Sequence, residues 1–295
     1  MNVKKNNYKA LSVSALLCGS LLSGQAFAIA ETVQPRDYIP APKGVNLSVT
    51  YLQSVSGDDF NVDGDTVSND ADLQVNAVIQ RFIHYTELFG MPADPQIIIP
   101  VVDQDVGIQG EQSSGIGDIF IGSTFWPVAN NDNKEWFGIT PFVYLPTGEY
   151  ESNKAVNVGA NRWSFVLQAG YTKGLTDNGL YMDLVGEVEI YGDNDDLAAG
   201  DTLSRDNMYR MSAMLSQDVT QGGYVWGRYS KQVGGEVEVD GVDQVASDVD
   251  TDNLTLGYTQ WIGKRFQLQG EYSKDLSVDN GIETDGVTIR VAIPF

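Results

Sequence analysis

The chain holds one cysteine and one histidine in 295 residues, and basic residues are scarce. Cys18 lies in the N-terminal segment, so the rest of the chain has no thiol for a disulfide framework, a thiolate metal site or a cysteine nucleophile. A serine-type hydrolase needs a histidine base held by a third group. The neighbours of His84 are Phe82, Ile83, Tyr85 and Thr86, with no serine in a recognisable pattern. His84 therefore reads as a polar residue at the inner rim, and the chain as no enzyme and no binder of a cofactor. The 18 Lys and Arg stand against 40 Asp and Glu, a net charge of −22. Nucleic acid is excluded as a partner, because phosphate needs the opposite sign.

Long apolar runs are also missing. Mean hydropathy is −0.19, and beyond the N-terminal segment no stretch approaches the roughly 18 apolar residues of a membrane helix. A sliding window would read such a chain as water-soluble. A transmembrane barrel evades that test, because its strands carry apolar residues only at every second position.

At the N-terminus, Lys4, Lys5 and Lys9 precede an apolar run from Ala10 to Leu22, followed by Ala26-Phe27-Ala28 and Ala28-Ile29-Ala30. That is the layout of a secretory signal peptide over residues 1–28, with Ala30 as a second cleavage option. The apolar run, about 13 residues, is too short for an anchoring helix that needs about 20. Leu17 stands where a lipoprotein site would want a small residue before Cys18. Residues 31–295 then form a single domain.

After the proline-containing stretch between Pro35 and Pro42, twelve strand-like runs rich in Val, Ile, Tyr, Phe and Thr follow. They centre on residues 45–54, 73–85, 96–102, 117–127, 136–145, 163–173, 180–191, 208–217, 224–231, 253–261, 266–273 and 287–295. The last run places Val287, Ile289, Val291, Ile293 and Phe295 toward lipid, and Thr288, Arg290 and Ala292 inward. In the seventh, Asp183, Val185, Glu187 and Glu189 share one face, which must be the lumen, since acids cannot face lipid. Connections alternate in length. The long ones, roughly 55–71, 103–115, 147–162, 192–206, 234–252 and 275–285, are rich in Gly, Asn and Asp and read as exterior loops. Short turns at 130–135, 176–179, 220–223 and 263–265 read as periplasmic. The sequence thus predicts an all-β, transmembrane antiparallel up-and-down barrel of about 12 strands in the bacterial outer membrane, both termini periplasmic. A soluble β-sandwich also shows short alternating strands, but would need polar outward faces.

The candidate lumen residues follow from the same alternation: Asp118, Phe120, Phe142, Tyr144, Asp183, Glu187, Glu189, Arg210, Arg228, Lys231, Glu271 and Arg290, with Tyr181 and Trp226 as further inward aromatics. Glu187 and Glu189 lie about 7 Å apart on one strand face, a spacing that suits acid and base work on a sugar. The better reading is an ionic network with Arg210, Arg228, Lys231 and Arg290 that blocks or filters the pore. Inward aromatics either line a path for sparingly soluble rings or only fill a narrow barrel. Asp63-Gly64-Asp65 is a fragment of a calcium loop without the full ligand spacing, so Asp63 and Asp65 are weak metal candidates and no metal is expected.

Gly115-Ile116-Gly117-Asp118, Phe125-Trp126, Thr140-Pro141-Phe142-Val143-Tyr144-Leu145-Pro146-Thr147-Gly148 and Asn157-Val158-Gly159-Ala160-Asn161-Arg162-Trp163-Ser164 carry a resemblance. With Gln168-Ala169-Gly170-Tyr171, they resemble the outer-membrane transporter family named after the meta-pathway (MetA-pathway) of phenol degradation. The likeness implies a barrel that admits aromatic compounds. On residues alone, Pro146 ends a strand and Gly148 permits the turn after it, and Trp163 suits the interfacial girdle.

The expected function is a porin-like channel for passive uptake of small hydrophobic or aromatic compounds. The competing expectation is a structural or adhesive surface barrel with a closed lumen, whose acidic loops bind ions or lipopolysaccharide. Expected partners are outer-membrane lipids and lipopolysaccharide, the solute, and the barrel-assembly machinery through Phe295.

Overall fold

A computed structural model describes residues 33–263 and 265–295. The expected signal peptide and Cys18 lie outside these residues.

Twelve long strands follow one another: β1 (Asn46–Gly57), β2 (Leu73–His84), β3 (Met91–Val106), β4 (Phe120–Asn130), β5 (Glu135–Tyr144) and β6 (Ser164–Gly174). Then come β7 (Leu180–Tyr191), β8 (Met208–Thr220), β9 (Gly223–Gly234), β10 (Val249–Ile262), β11 (Phe266–Val278) and β12 (Asp285–Pro294). Each pairs antiparallel with its neighbours in sequence, and β12 closes on β1 with Thr50 opposite Val291 and Tyr51 opposite Arg290. Closure gives each of the twelve strands a partner on both sides, the condition a strand must meet where lipid can satisfy no backbone group. Both ends meet at one rim, where the Phe295 amide donates to the Asn46 carbonyl at 3.0 Å.

Alternation sets the two faces. In β2, Leu73, Val75, Ala77, Ile79, Arg81 and Ile83 are buried, while Val78 and Phe82 are exposed. In β12, Thr288, Arg290 and Ala292 are buried, and Val287, Ile289 and Ile293 are exposed, as the sequence predicts. Ile97, Leu167, Leu256 and Leu268 continue the exposed belt around the wall. An apolar surface of that extent belongs in lipid rather than water, which removes the sandwich reading.

Several strands run longer than expected, β10 and β11 among them, and two depart in their pairing as well. β3 runs over 16 residues, well beyond 96–102, despite Pro92, Pro95 and Pro100. Its lower end is a hairpin with Thr86–Leu88, turning on Phe89 and Gly90 at φ 54° and 77°, the two positive φ values that a two-residue primed turn requires. Its upper end pairs with the short strand Glu111–Ile116. Between them the chain leaves the ladder at 117–119, and the Pro100 carbonyl accepts the Gly117 amide at 3.0 Å. In an antiparallel strand the N–H and C=O of one residue point the same way, so the donor that Pro100 lacks faces this break. The chain rejoins as β4 at Phe120, three residues later than expected.

The exterior connections carry two small sheets. One joins Phe60–Val62, Asp65–Ser68 and Gly281–Ile282, and the other joins Leu203–Arg205, Val237–Val239 and Val242–Asp243. Asp63 and Gly64, at φ 52° and 75°, form the hairpin turn of the first. The Asp-Gly pair read as a calcium-loop fragment is turn chemistry here. Among the described residues, no group of three or more His, Cys, Asp or Glu is placed to hold a metal ion.

Leu256 lies on the exposed face midway along β10. Leu256→Arg should lower folding stability in lipid vesicles by about 2–4 kcal/mol, read by denaturant titration, and an unchanged midpoint would place this face out of the bilayer.

Candidate functional site

The lumen is entered from the short-turn end by the chain itself. Gln34-Pro35-Arg36-Asp37 makes a turn closed by the Asp37 amide on the Gln34 carbonyl at 3.0 Å, with Arg36 at φ 70°. A non-glycine residue in that region costs of order 1–3 kcal/mol and persists only where its surroundings hold it. The Arg36 backbone amide donates to Asp183 Oδ1 at 3.1 Å. Its guanidinium donates to Ser216 Oγ at 2.9 Å, Asp218 Oδ1 at 2.8 Å and the Gly179 carbonyl at 3.2 Å. The same guanidinium lies 4.2 Å from the centre of the Tyr181 ring and 4.1 Å from that of Tyr224.

The neighbouring residues are fixed as thoroughly. Asp37 sits between Arg290 at 3.3 Å and Arg81 at 3.8 Å. Tyr38 donates its hydroxyl to Gln168 Oε1 at 2.8 Å, and its carbonyl accepts the Trp126 indole at 2.8 Å. Arg228 donates to the Val33 carbonyl at 3.1 Å, and Gln269 to Gln34 Oε1 at 2.8 Å. Two glycines opposite each other on β5 and β6, Gly138 and Gly170, receive the Tyr38 ring. A Cβ on Gly170 would stand 2.0 Å from the ring, and one on Gly138 2.8 Å away. The barrel wall is thus notched for this side chain.

Above the segment the interior divides. On β1–β6 it is apolar: Val75, Val102, Val166, Phe120 and Phe142 pack with Phe60, Val62, Val156, Val158 and Ile282 from the exterior loops. Phe120 stacks on Tyr144 at 4.3 Å and meets Phe142 edge-on at 5.8 Å. On β7–β10 it is polar. Arg210 bridges Glu187 and Glu189, and Glu187 also accepts from Gln168 at 2.6 Å. A cavity of about 20 Å³ remains between Val33, Gln168, Val185, Glu187, Arg210, Ser212 and Arg228, room for a single water.

Most residues expected in the lumen come together there. Phe120, Phe142 and Tyr144 form the apolar wall. Asp183 accepts from Arg36 and from Thr172 at 2.5 Å. Arg228 also reaches Thr255 Oγ1 at 3.1 Å, Arg290 reaches Gln267 at 2.6 Å, and Glu271 accepts from Gln269 at 2.8 Å. The Trp226 indole donates to Thr259 at 3.1 Å.

Two expected residues stand elsewhere. Lys231 is three residues from Arg228, and positions an odd number apart lie on opposite faces of a strand. It sits outward near the exterior end of β9, paired with Asp250 and with Asp252 at 3.0 Å. Asp118 is a loop fastener rather than a lumen group. Its carboxylate accepts the amides of Thr147 at 3.0 Å, Gly148 at 2.8 Å and Ala160 at 2.7 Å. Burial pushes that carboxyl above the usual range, and the three amides oppose the shift. Gly148 and Gly159 cross so closely that a Cβ on either would come within 2.6 Å of the other's backbone. The quoted motifs around residues 115–118, 145–148 and 157–160 therefore meet in one knot at the exterior rim. His84 stands exposed at the opposite rim, its Nδ1 2.7 Å from Asn46 Oδ1. The sequence reading missed residues 33–39 as a lumen element. Their one local signal is a compact polar turn with Pro35 in second position, where proline favours a turn.

The sequence pattern of the family described as "Putative MetA-pathway of phenol degradation" matches residues 56–291. A solved structure, the COG4313 outer membrane channel from Pseudomonas putida F1, superposes with a TM-score of 0.84 at 30% identity, over 89% of this chain and 100% of that one. The β domain of the Bordetella autotransporter BrkA gives 0.54 at 9% identity, over 86% and 100% of the two chains. A TodX monoaromatic hydrocarbon channel variant gives 0.50 at 9% identity, over 86% and 90%. These last two share the fold alone. No curated protein matches.

Gly170→Val should push the Tyr38 ring out of its notch and raise single-channel conductance in planar bilayers, with the N-terminal segment becoming cleavable by added protease. Asp118→Ala leaves three amides without their acceptor and should destabilise the exterior knot by about 1–3 kcal/mol, read as earlier thermal unfolding.

Proposed function

The chain belongs to the MetA-pathway family of phenol degradation and is an outer-membrane channel, and on that premise we propose that it admits small hydrophobic, aromatic compounds passively. The observation that carries this reading is the one-sided lumen, in which Phe120, Phe142 and Tyr144 face the acids and arginines of β7–β10. A planar ring leaving water gains roughly 25 cal/mol per Å² of apolar surface covered. It also gains ring-on-ring contact of about 0.5–1.5 kcal/mol on such a wall. Gains of this size concentrate a sparingly soluble ring at the mouth and still let it leave.

Passage requires residues 33–39 to yield. Their bonds run to side chains, backbone carbonyls and ring faces, all of which water or a neighbouring donor can take over, so the segment acts as a removable gate. Export through a leader ending at residue 28 or 30 belongs to the same reading. So does recognition by the barrel-assembly machinery of Phe295, which projects from the end of β12 and is 72% exposed. The filled lumen favours a second reading, a closed surface barrel whose acidic loops bind ions or lipopolysaccharide.

Liposomes carrying the protein separate the two. Phenol and benzyl alcohol should enter faster than into empty liposomes, and Arg36→Ala, which removes the gate's central anchor, should speed entry further. Rates equal to those of empty liposomes for the wild type and for Arg36→Ala would leave only the closed barrel.

A further inference from the structure

Arg162 closes the loop ahead of β6, and Arg205 ends the short exterior strand Leu203–Arg205. Their guanidinium carbons lie 4.7 Å and 4.9 Å from the centre of one ring, Tyr191, on the inward face of β7. Only 6% of Arg162 and 7% of Arg205 is exposed. Arg205 is anchored through Nε to the Gly235 carbonyl at 3.0 Å. Arg162 is different: its Nε and Nη1 are buried without a hydrogen-bond partner among the described residues.

An unanswered buried guanidinium is costly, and a structural arginine is normally saturated. The other arginines of the lumen, Arg36, Arg81, Arg210, Arg228 and Arg290, each donate to at least one oxygen, although the Nε of Arg210 and of Arg290 is buried without a partner among the described residues as well. The nearby acids act on Arg162 only through space: Asp118 is hydrogen-bonded to three amides, and Glu189 to Arg210 and Ser164. Burial, and the like charge of Arg205 after it, pull Arg162 down to about 10.

Tyr191 also has aromatic company. It pairs across the ladder with Ser164, Ser164 with Tyr144, and Tyr144 with Phe120. Two donors for an anion thus stand at the end of a row of rings that leads to the apolar wall.

We propose that Arg162 and Arg205, set on Tyr191 at the exterior mouth, dock the carboxylate of an aromatic acid entering the channel. This rests on the reading of the protein as a channel for aromatic solutes, and it names a class among them. A carboxylate matches the guanidinium fork in charge and planar geometry, and the attached ring extends along Tyr144 and Phe120. A neutral phenol would leave Arg162 unanswered. A lipid phosphate does not fit the position, because the site lies on the lumen side while the adjacent Trp163 is the residue turned outward, 58% exposed. The acidic exterior repels anions at long range, so a buried pair of cations is what a carboxylate needs to enter at all.

The test uses the full-length protein in micelles, titrated with benzoate, with benzyl alcohol as the uncharged ring and with acetate as the charge without a ring. Benzoate should bind the wild type and bind at least about tenfold more weakly to Arg162→Gln, the effect of losing one charge-assisted contact. Arg205→Gln should weaken it in the same sense, and Arg162→Lys should recover part of the loss. Benzyl alcohol should bind all of these equally, and acetate should bind the wild type far more weakly than benzoate. Equal benzoate affinity across the variants, or acetate as tight as benzoate, overturns the proposal. If Arg162→Gln does not fold into a heat-modifiable barrel, Arg205→Gln and Arg162→Lys decide the question. Liposome entry of benzyl alcohol is scored separately: its absence, with benzoate binding intact, removes the channel reading and leaves the docking site standing.

Discussion

A closed ring of twelve strands has an interior that must be filled, and the rest of this molecule follows from how it is filled. Eight strands leave room only for side chains, and sixteen leave a water channel. Twelve fall between, and in this barrel further chain enters beside the inward side chains. It does so from both ends. Residues 33–39 rise from the side of the termini, while Phe60, Val62 and Ile282 descend from the exterior loops.

The two fillings differ in kind, and the difference gives the lumen its direction. The exterior filling is apolar, continuous with Val75, Val102 and Phe120, and it is held by covering surface from water. The lower filling is polar, held by directed bonds from Arg36, Asp37 and Tyr38. Apolar packing yields to an apolar guest that replaces the same contacts. Directed bonds yield to water, which replaces each at a net cost of only about 0.5–1.5 kcal/mol. Under the proposed function, a ring arriving from outside would meet the half it can displace, and the polar half would open when water follows. The notch at Gly138 and Gly170 would guard the second step, because it holds the Tyr38 ring in one place.

How much of this could be read beforehand depended on the range of the forces. The alternation in β12 and β7 is local, and it placed Arg290, Glu187 and Glu189 inside without a structure. The same rule, applied with care for parity, would have put Lys231 outside, since Arg228 already claimed the inward face of β9. Asp118 was out of reach of any such rule. It lies in a strand-like run and looks like a lumen acid, but its partners at Thr147, Gly148 and Ala160 are 29 to 42 residues away. The segment at 33–39 was hidden for a similar reason. Its bonds bind residues that only barrel closure brings together, Arg36 to Asp218 across 182 positions among them.

The motif that carried the family resemblance turns out to hold two different duties in one stretch. From Asn157 to Ala160, small residues and a close glycine crossing fasten the exterior loops to Asp118. Immediately after, Asn161 takes φ 51° and the chain turns, so that Arg162 points to Tyr191 and Trp163 to the lipid side. Fastening and turning together deliver a cation to the mouth at a fixed height. A looser loop could saturate its arginine by folding it onto the acids nearby. Here the knot forbids that, because Asp118 spends its carboxylate on holding the loop still. The rigidity of the rim is what keeps Arg162 buried and unanswered by protein, and it makes the mouth a place where a guest's charge counts.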